Sequence, residues 1–272
     1  MIDIHMHIIP GVDDGSRDLQ MSEDMLEIAC SEGIYDIVAT PHSNAFKNSG
    51  RVWDHYAELK EFMKKRGSLV TLALGCEVLF TADNLTDTVE SLKSGRLPTL
   101  NATNYVLTEF LPSAEKPFIQ RVVQTLREAG FIPVVAHTER YQDMCCEMSF
   151  AEEIHKAACI QINAYSLEEE KDEGIKRSAR MLLHHKLVDF VGSDAHRATH
   201  RAPNVRTGIL YVQNTCDRTY ARAVLWDNAK RLLGMGIHRY LDGLMGLAVG
   251  DALGVPYENR SKKEMMDHPA LA

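Results

Sequence analysis

Apolar residues fall along this chain in two alternating rhythms. Short, nearly unbroken runs rich in β-branched residues occur at 1–5 (MIDIH), 34–40 (IYDIVAT), 69–77 (LVTLALGCE), 104–110 (NYVLTEF), 131–137 (FIPVVAH), 158–163 (ACIQIN) and 188–193 (VDFVGS). Such runs predict strands buried on both faces, as in a parallel sheet. Between them, the stretches 18–32, 52–66, 83–94, 116–129, 150–157 and 168–187 repeat apolar residues every three or four positions and predict amphipathic helices. Gly33, Gly67, Gly95 and Gly130 stand where four of those helices should stop. Seven strand–helix units predict an α/β fold of parallel crossovers, either closed into a barrel or open as a doubly wound sheet.

Reactive side chains follow the predicted strands. The first strand runs into His5 and His7, the second into His42, the third into Glu77, the fourth into Glu109, the fifth into His137 and the seventh into Asp194 and His196. Barrel active sites are assembled just beyond the carboxyl ends of parallel strands, where a closed barrel brings such residues together and an open sheet spreads them. His5 and His7, two apart on an extended segment, point the same way and can grip one ion; Asp14 follows in the loop. A single histidine at a strand end is usually a satisfied polar residue, so the argument rests on the joint pattern. Five imidazoles and four carboxylates exceed the needs of one ion and suit Mn²⁺, Fe²⁺ or Zn²⁺ in a cluster of two or three.

Two arginines sit beside these candidates. Arg140 comes three residues after His137 in "AHTERY", and Arg201 follows "SDAH" in "HRATHRAP". Guanidinium forks bind phosphate oxygens bidentately and can stabilise charge on a transferred phosphoryl group. The plainer alternative for each is a surface ion pair, with Glu139 available to Arg140. The remaining histidines, including His55 and His155, read as solvated surface, with His200 set apart.

Composition narrows the class. A chain of 272 residues, 45% hydrophobic and 25% charged, suits a globular protein whose barrel can form one domain. A net charge of −8 argues against extended nucleic-acid contact. The sequence offers no apolar stretch of about 18 residues to span a membrane and no basic-then-apolar leader, so the cytoplasm is expected. Six cysteines without a CxxC pair fit reduced thiols.

Taken together, "MIDIHMHIIPGVDDGS", "TPH", "GCEV", "LTEF", "AHTERY" and "GSDAH" resemble, in order, the motifs of the polymerase and histidinol phosphatase (PHP) superfamily. Within it, residues 1–233 resemble the manganese-dependent tyrosine-protein phosphatases of Gram-positive capsule and exopolysaccharide loci. That resemblance implies a distorted (β/α)7 TIM-like barrel, a trinuclear metal centre, and hydrolysis of phosphotyrosine in the tail of a partner bacterial tyrosine kinase. It gives the ligand role to His5, His7, Asp14, His42, Glu77, Glu109, His137, Asp194 and His196, and phosphate contact to Arg140 and Arg201. The segment 43–50 is less alike and would reshape the substrate mouth. The alternatives are a small-molecule phosphatase of the histidinol-phosphate type and a noncatalytic kinase-binding module; the sequence leaves homo-oligomerisation open.

The phosphatase domain is expected to span 1–237. Beyond it, "RYLDGLMGLAVGDALGVPYENRS" resembles the opening of ADP-ribosylglycohydrolases, so 238–272 reads as a truncated start of that fold. That family's later paired aspartates are absent, which leaves Glu258 no site to join.

Overall fold

The fold is described from a computed structural model, covering residues 1–234 apart from 142–143, 145–146 and 169–171, and at 48 and 49 the backbone alone is described. The expected boundary at 237 and the 238–272 segment lie outside the described residues, as do Cys145 and Cys146.

Among the described residues, eight short parallel strands form two arcs. β1 (Ile2–Met6), β2 (Asp36–Ala39) and β3 (Thr71–Leu74) make one sheet. β4 (Glu77–Phe80), β5 (Tyr105–Phe110), β6 (Ile132–Val135), β7 (Cys159–Asn163) and β8 (Phe190–Gly192) make the other. Both edges are joined. β1 meets β8 through Asp194 N to His5 O at 2.8 Å and His7 N to Ala195 O at 2.8 Å. The segment after β2 meets β4 through Glu77 N to Pro41 O at 3.1 Å and a parallel bridge from His42 to Glu77. The strands thus close into the expected TIM-like ring.

The count departs from seven because the run at 69–77 is divided between β3 and β4. At the break, a Cβ on Gly75 would lie 2.7 Å from Leu100 Cδ2 and 3.1 Å from Val38 Cγ1, so the backbone passes where a side chain has no room. This turn redirects the chain from one arc to the other.

Helices cover the ring as the periodicity predicts: α1 (Leu19–Ser31), α2 (Ser49–Lys65), α3 (Leu85–Lys93), α4 (Lys116–Glu128), α5 (Met148–His155) and α6 (Glu173–His184). α1 begins where Asp18 accepts from Met21 N at 2.9 Å, satisfying one of the helix's open N–H groups. The four stop glycines all take left-handed φ, from 65° to 89°. The α4 face of Ile119, Val122, Val123 and Leu126 is buried against the sheet. Each such side chain contributes about 1.5–3 kcal/mol on leaving water. α6 is shorter than the expected 168–187. Apolar spacing predicts no helix between residues 200 and 237, yet α7 (Arg206–Thr215), α8 (Arg218–Arg222), a π-helical turn (Ala223–Asp227) and α9 (Asn228–Leu232) follow there.

α7 packs on the turn that leaves β7. A Cβ on Gly208 would stand 2.4 Å from Ala164 O and 2.9 Å from Ala164 C. Because both partners are backbone, Gly208→Ala should destabilise the protein by about 2–3 kcal/mol, read as a lower urea midpoint at unchanged slope. An unchanged midpoint would mean that α7 can shift away from Ala164 at no cost.

Candidate metal centre

The nine candidate ligands of the sequence come together at one mouth of the ring, most of them at or just past the carboxyl ends of strands, while Glu77, expected at the end of the third strand, opens β4 instead. Glu77, at the start of β4, stands at their centre. Its Oε1 lies 2.9 Å from His137 Nε2 and 3.2 Å from His5 Nε2, and its Oε2 lies 3.0 Å from His42 Nδ1 and 3.2 Å from His7 Nε2. Glu109 adds Oε1 at 3.7 Å from His137 Nε2 and Oε2 at 3.7 Å from His42 Nδ1. On the opposite side Asp194 Oδ1 lies 3.4 Å from His5 Nε2 and 3.6 Å from His196 Nδ1. Asp14 Oδ1 reaches His42 Nε2 at 3.2 Å and His196 Nε2 at 3.6 Å.

Three overlapping donor groups result: His7, Asp14, His42 and His196; His5, His7 and Glu77; and His42, Glu77 and Glu109. Within each, one donor atom per residue lies within 4.8 Å of the others. His5, His7, Glu77, His137, Asp194 and His196 are buried, whereas the Asp14 side chain is 64% exposed. The cluster therefore has a closed floor and opens past Asp14, His42 and Glu109.

The histidines are oriented from behind. His7 Nδ1 donates to Asp13 Oδ2 at 2.8 Å, His5 Nδ1 to Gln161 Oε1 at 3.2 Å, and His196 Nδ1 to the Asp194 carbonyl at 3.0 Å. Each of those acceptors is an oxygen, so the proton belongs on Nδ1, and a neutral ring turns its Nε2 lone pair inward. His5 Nε2 and His7 Nε2 lie 3.3 Å apart. Two facing lone pairs repel unless a cation lies between them. Mixed imidazole and carboxylate donors, buried and locked from outside, fit divalent first-row ions.

Charge in the metal-free cluster is balanced by protons. Burial opposes a charged His5, but the Glu77 and Asp194 carboxylates outweigh it and raise its pKa. His7 is raised well above the ordinary value in the same way, against burial, by hydrogen bonds to Asp13 and Glu77, and His42 is raised by Glu77. Burial works against an ionised Glu77, yet the surrounding histidines hold its pKa well below the usual range. Glu109 is pushed up by burial and by Glu77, and His196 is pushed down to about 3 by burial and the neighbouring His7.

Backbone strain gathers at the same strand ends. His137 (φ 32°), Asp194 (φ 52°) and Arg201 (φ 53°) all take the left-handed region. Non-glycine residues occupy it at a cost that surrounding contacts must hold. His137 N donating to Gln161 Oε1 at 2.8 Å and Asp194 N donating to His5 O at 2.8 Å supply such contacts.

Arg140 and Arg201 are not surface pairs. Arg140 Nη2 and Arg201 Nη2 lie 2.9 and 2.5 Å from Asp194 Oδ2, the oxygen opposite the one facing the imidazoles. Glu139, offered above as a surface partner for Arg140, is instead buried; its Oε1 accepts from Ser166 Oγ at 2.6 Å and Asn163 N at 3.1 Å. His55, read as solvated, is half-buried and reaches Pro10 O at 2.6 Å, and His155 pairs with Asp189 at 3.1 Å. Cys76, next to Glu77, is buried, and burial together with Glu77 drives its thiol pKa well above the ordinary value, so it is no nucleophile.

Several residues of the site were not legible beforehand. Asp13 could not be told from Asp14 by spacing. Gln161 and Asn163 did leave a signal: they are polar and two apart in the otherwise apolar strand CIQIN, which puts both on one face.

The family described as "Capsular polysaccharide synthesis, CpsB/CapC" matches residues 1–234, and the chain belongs to it. The tyrosine-protein phosphatase CpsB of Streptococcus agalactiae serotype III (strain NEM316) is 31% identical over 242 residues, covering 86% of this chain and 98% of that protein. The tyrosine-protein phosphatase YwqE of Bacillus subtilis (strain 168) is 31% identical over 237 residues, covering 86% and 91%. Among solved structures, work on YwqE from Bacillus subtilis and CpsB from Streptococcus pneumoniae, described as metal-dependent tyrosine phosphatases, gives a match with TM-score 0.75. That match is 27% identical and covers 86% of this chain and 94% of the other.

Two predictions follow from proton and metal competing for the same nitrogens. Asp13→Ala should weaken divalent-metal affinity by about 10–100-fold by freeing His7, measured by chelator competition; unchanged affinity would deny Asp13 that role. His5, His7 and His42 have folded pKa values raised above about 6.5, so their protonated pairs stabilise the metal-free fold below that pH. This contribution is lost as pH rises through the folded values. Divalent ions replace those protons, so the metal-induced rise in Tm should be larger at pH 8 than at pH 6; an equal or smaller rise at pH 8 contradicts the competition.

Proposed function

We propose that this protein is a metal-dependent phosphomonoester hydrolase acting on phosphotyrosine. Its proposed substrate is the tail of a bacterial tyrosine kinase that controls capsule or exopolysaccharide synthesis. One observation carries the reading: seven side chains fall into three overlapping donor groups, His137 and Asp194 join them through Glu77 and His5, and two arginines at the rim hold the far oxygen of Asp194. Membership of a family whose named relatives are tyrosine-protein phosphatases supports the substrate class.

His5, His7, Asp14, His42, Glu77, Glu109, His137, Asp194 and His196 are the proposed ligands. Three overlapping donor groups suit two or three ions; Mn²⁺ is the proposed metal, and Fe²⁺ or Zn²⁺ are compatible with the same donors. Such ions, when bound, supply Lewis acidity that lowers the pKa of a water toward about 7. Arg140 and Arg201, anchored through Nη2, keep their other N–H groups for the phosphoryl oxygens, whose charge they offset during transfer. A tyrosinate leaving group, with a phenol pKa of about 10, departs with less protonation than an alkoxide needs. The closed floor keeps bulk water from the donors, while the opening past Asp14 and His42 admits a side chain carried on a peptide.

No helix among the described residues is long and apolar enough to cross a membrane. A cytoplasmic setting is part of the proposal, in keeping with the free thiols of Cys30, Cys76, Cys159 and Cys216. The catalytic unit is proposed as residues 1–237.

With Mn²⁺ present, the protein should hydrolyse a phosphotyrosyl peptide at a higher kcat/KM than histidinol phosphate, and a chelator should abolish turnover. His42→Ala should lower kcat at least about 100-fold with the circular dichroism spectrum unchanged, since it removes a ligand from two donor groups. Preference for histidinol phosphate would replace the substrate assignment. No turnover of either compound with metal bound would leave a noncatalytic binding module.

A further inference from the structure

The sequence offered no chemistry at the end of β7, and the structure fills it. Arg140 Nη2 contacts two oxygens, Asp194 Oδ2 at 2.9 Å and the Tyr165 hydroxyl. Asn163 Nδ2 reaches the same two, Asp194 Oδ2 at 2.9 Å and the Tyr165 hydroxyl at 3.3 Å. Two nitrogens with two N–H groups each therefore face two shared acceptors, and the four atoms form a closed circuit. The guanidinium also lies over the Tyr165 ring, 5.8 Å from its centroid.

We infer that Asn163 and Tyr165 are a positioning pair that aims Arg140 at the phosphate; the inference rests on the phosphatase reading for the identity of that ligand. Both Nη2 protons are committed to the circuit, which fixes the plane of the guanidinium. Nε and Nη1 have no protein partner among the described residues; because both forks of a guanidinium include Nη2, they are left as separate single donors, and the Nη1 edge is the one the circuit aims. With Asp194 alone as partner, the guanidinium could pivot about one contact or fold bidentately onto that carboxylate.

The pair is itself firmly mounted. Asn163 Oδ1 accepts from Gln161 Nε2 at 2.9 Å, and Gln161 also holds His5. Glu139, adjacent to Arg140 in the chain, accepts from Asn163 N and Ser166 Oγ, which ties the Thr138–Arg140 turn to the Ala164–Leu167 turn. α7 presses on the latter turn through Gly208. One rigid unit thus carries the guanidinium, its tether and the support of a proposed metal ligand.

A double-mutant cycle on the Mn²⁺-loaded protein with Tyr165→Phe, Arg140→Ala and the pair tests this. Phe keeps the ring and removes only the hydroxyl. Tyr165→Phe should weaken inorganic phosphate binding, measured by calorimetry, by about tenfold, the worth of one charge-assisted hydrogen bond, and lower kcat/KM on a phosphotyrosyl peptide to match. Metal content should not change. In the Arg140→Ala background the same substitution should change phosphate affinity by less than about twofold, because its effect runs through the missing guanidinium. Equal losses in both backgrounds, a fall in bound metal, or no loss in the wild-type background would each overturn the inference. A nonadditive phosphate cycle with no peptide turnover would sustain the positioning pair and remove the phosphatase reading alone.

Discussion

A single buried carboxylate sets the terms for this site. Glu77 faces four imidazoles at 2.9–3.2 Å, on strands drawn from both arcs of the ring. An ionised carboxylate without water is costly, and surrounding it with neutral rings whose lone pairs point inward does not relieve that cost. Positive charge has to enter. The raised pKa values of His5, His7 and His42 favour protons there in the metal-free protein, and divalent ions, where bound, would supply the charge more fully, since one ion serves several donors at once. The rest of the centre extends this: Glu109, Asp14 and Asp194 add negative charge, while Arg140 and Arg201 offset part of it at the rim.

The fold makes that concentration of charge tolerable by fixing its members from behind. Asp13, Gln161 and the Asp194 carbonyl hold three of the histidines by Nδ1, and Tyr141 lies 3.3 Å from His137 Nδ1 while accepting from Phe110 N at 3.0 Å. Asp194 is divided between two tasks, one oxygen toward the imidazoles and the other toward the arginines and Asn163. The imidazole half and the arginine half of the pocket thereby share one side chain, so a displacement in either half is felt in the other.

Much of this was legible in the sequence because parallel strands impose it. Runs such as FIPVVAH and LVTLALGCE announce buried strands, and their terminal residues must emerge on one face, which is why the nine donors could be named before any coordinates. The first six helices followed from their apolar spacing. What stayed hidden depended on contacts between distant segments. The division at Gly75 arises from Leu100 and Val38, which no local pattern reveals, and the helices after residue 200 have their packing partners elsewhere in the chain. The role of Asp13 over Asp14 is decided by the fold of one loop, and Glu139, beside Arg140 in sequence, proved to serve Asn163 and Ser166 instead.

Anomalous diffraction from crystals grown with Mn²⁺ tests the central claim most directly. Two or three peaks should lie among His5, His7, His42, Glu77, Glu109, His137, Asp194, His196 and Asp14, each with donors at about 2.0–2.3 Å. A map from fully exchanged crystals with no peak between these side chains, or peaks only on outer surfaces, would contradict the account.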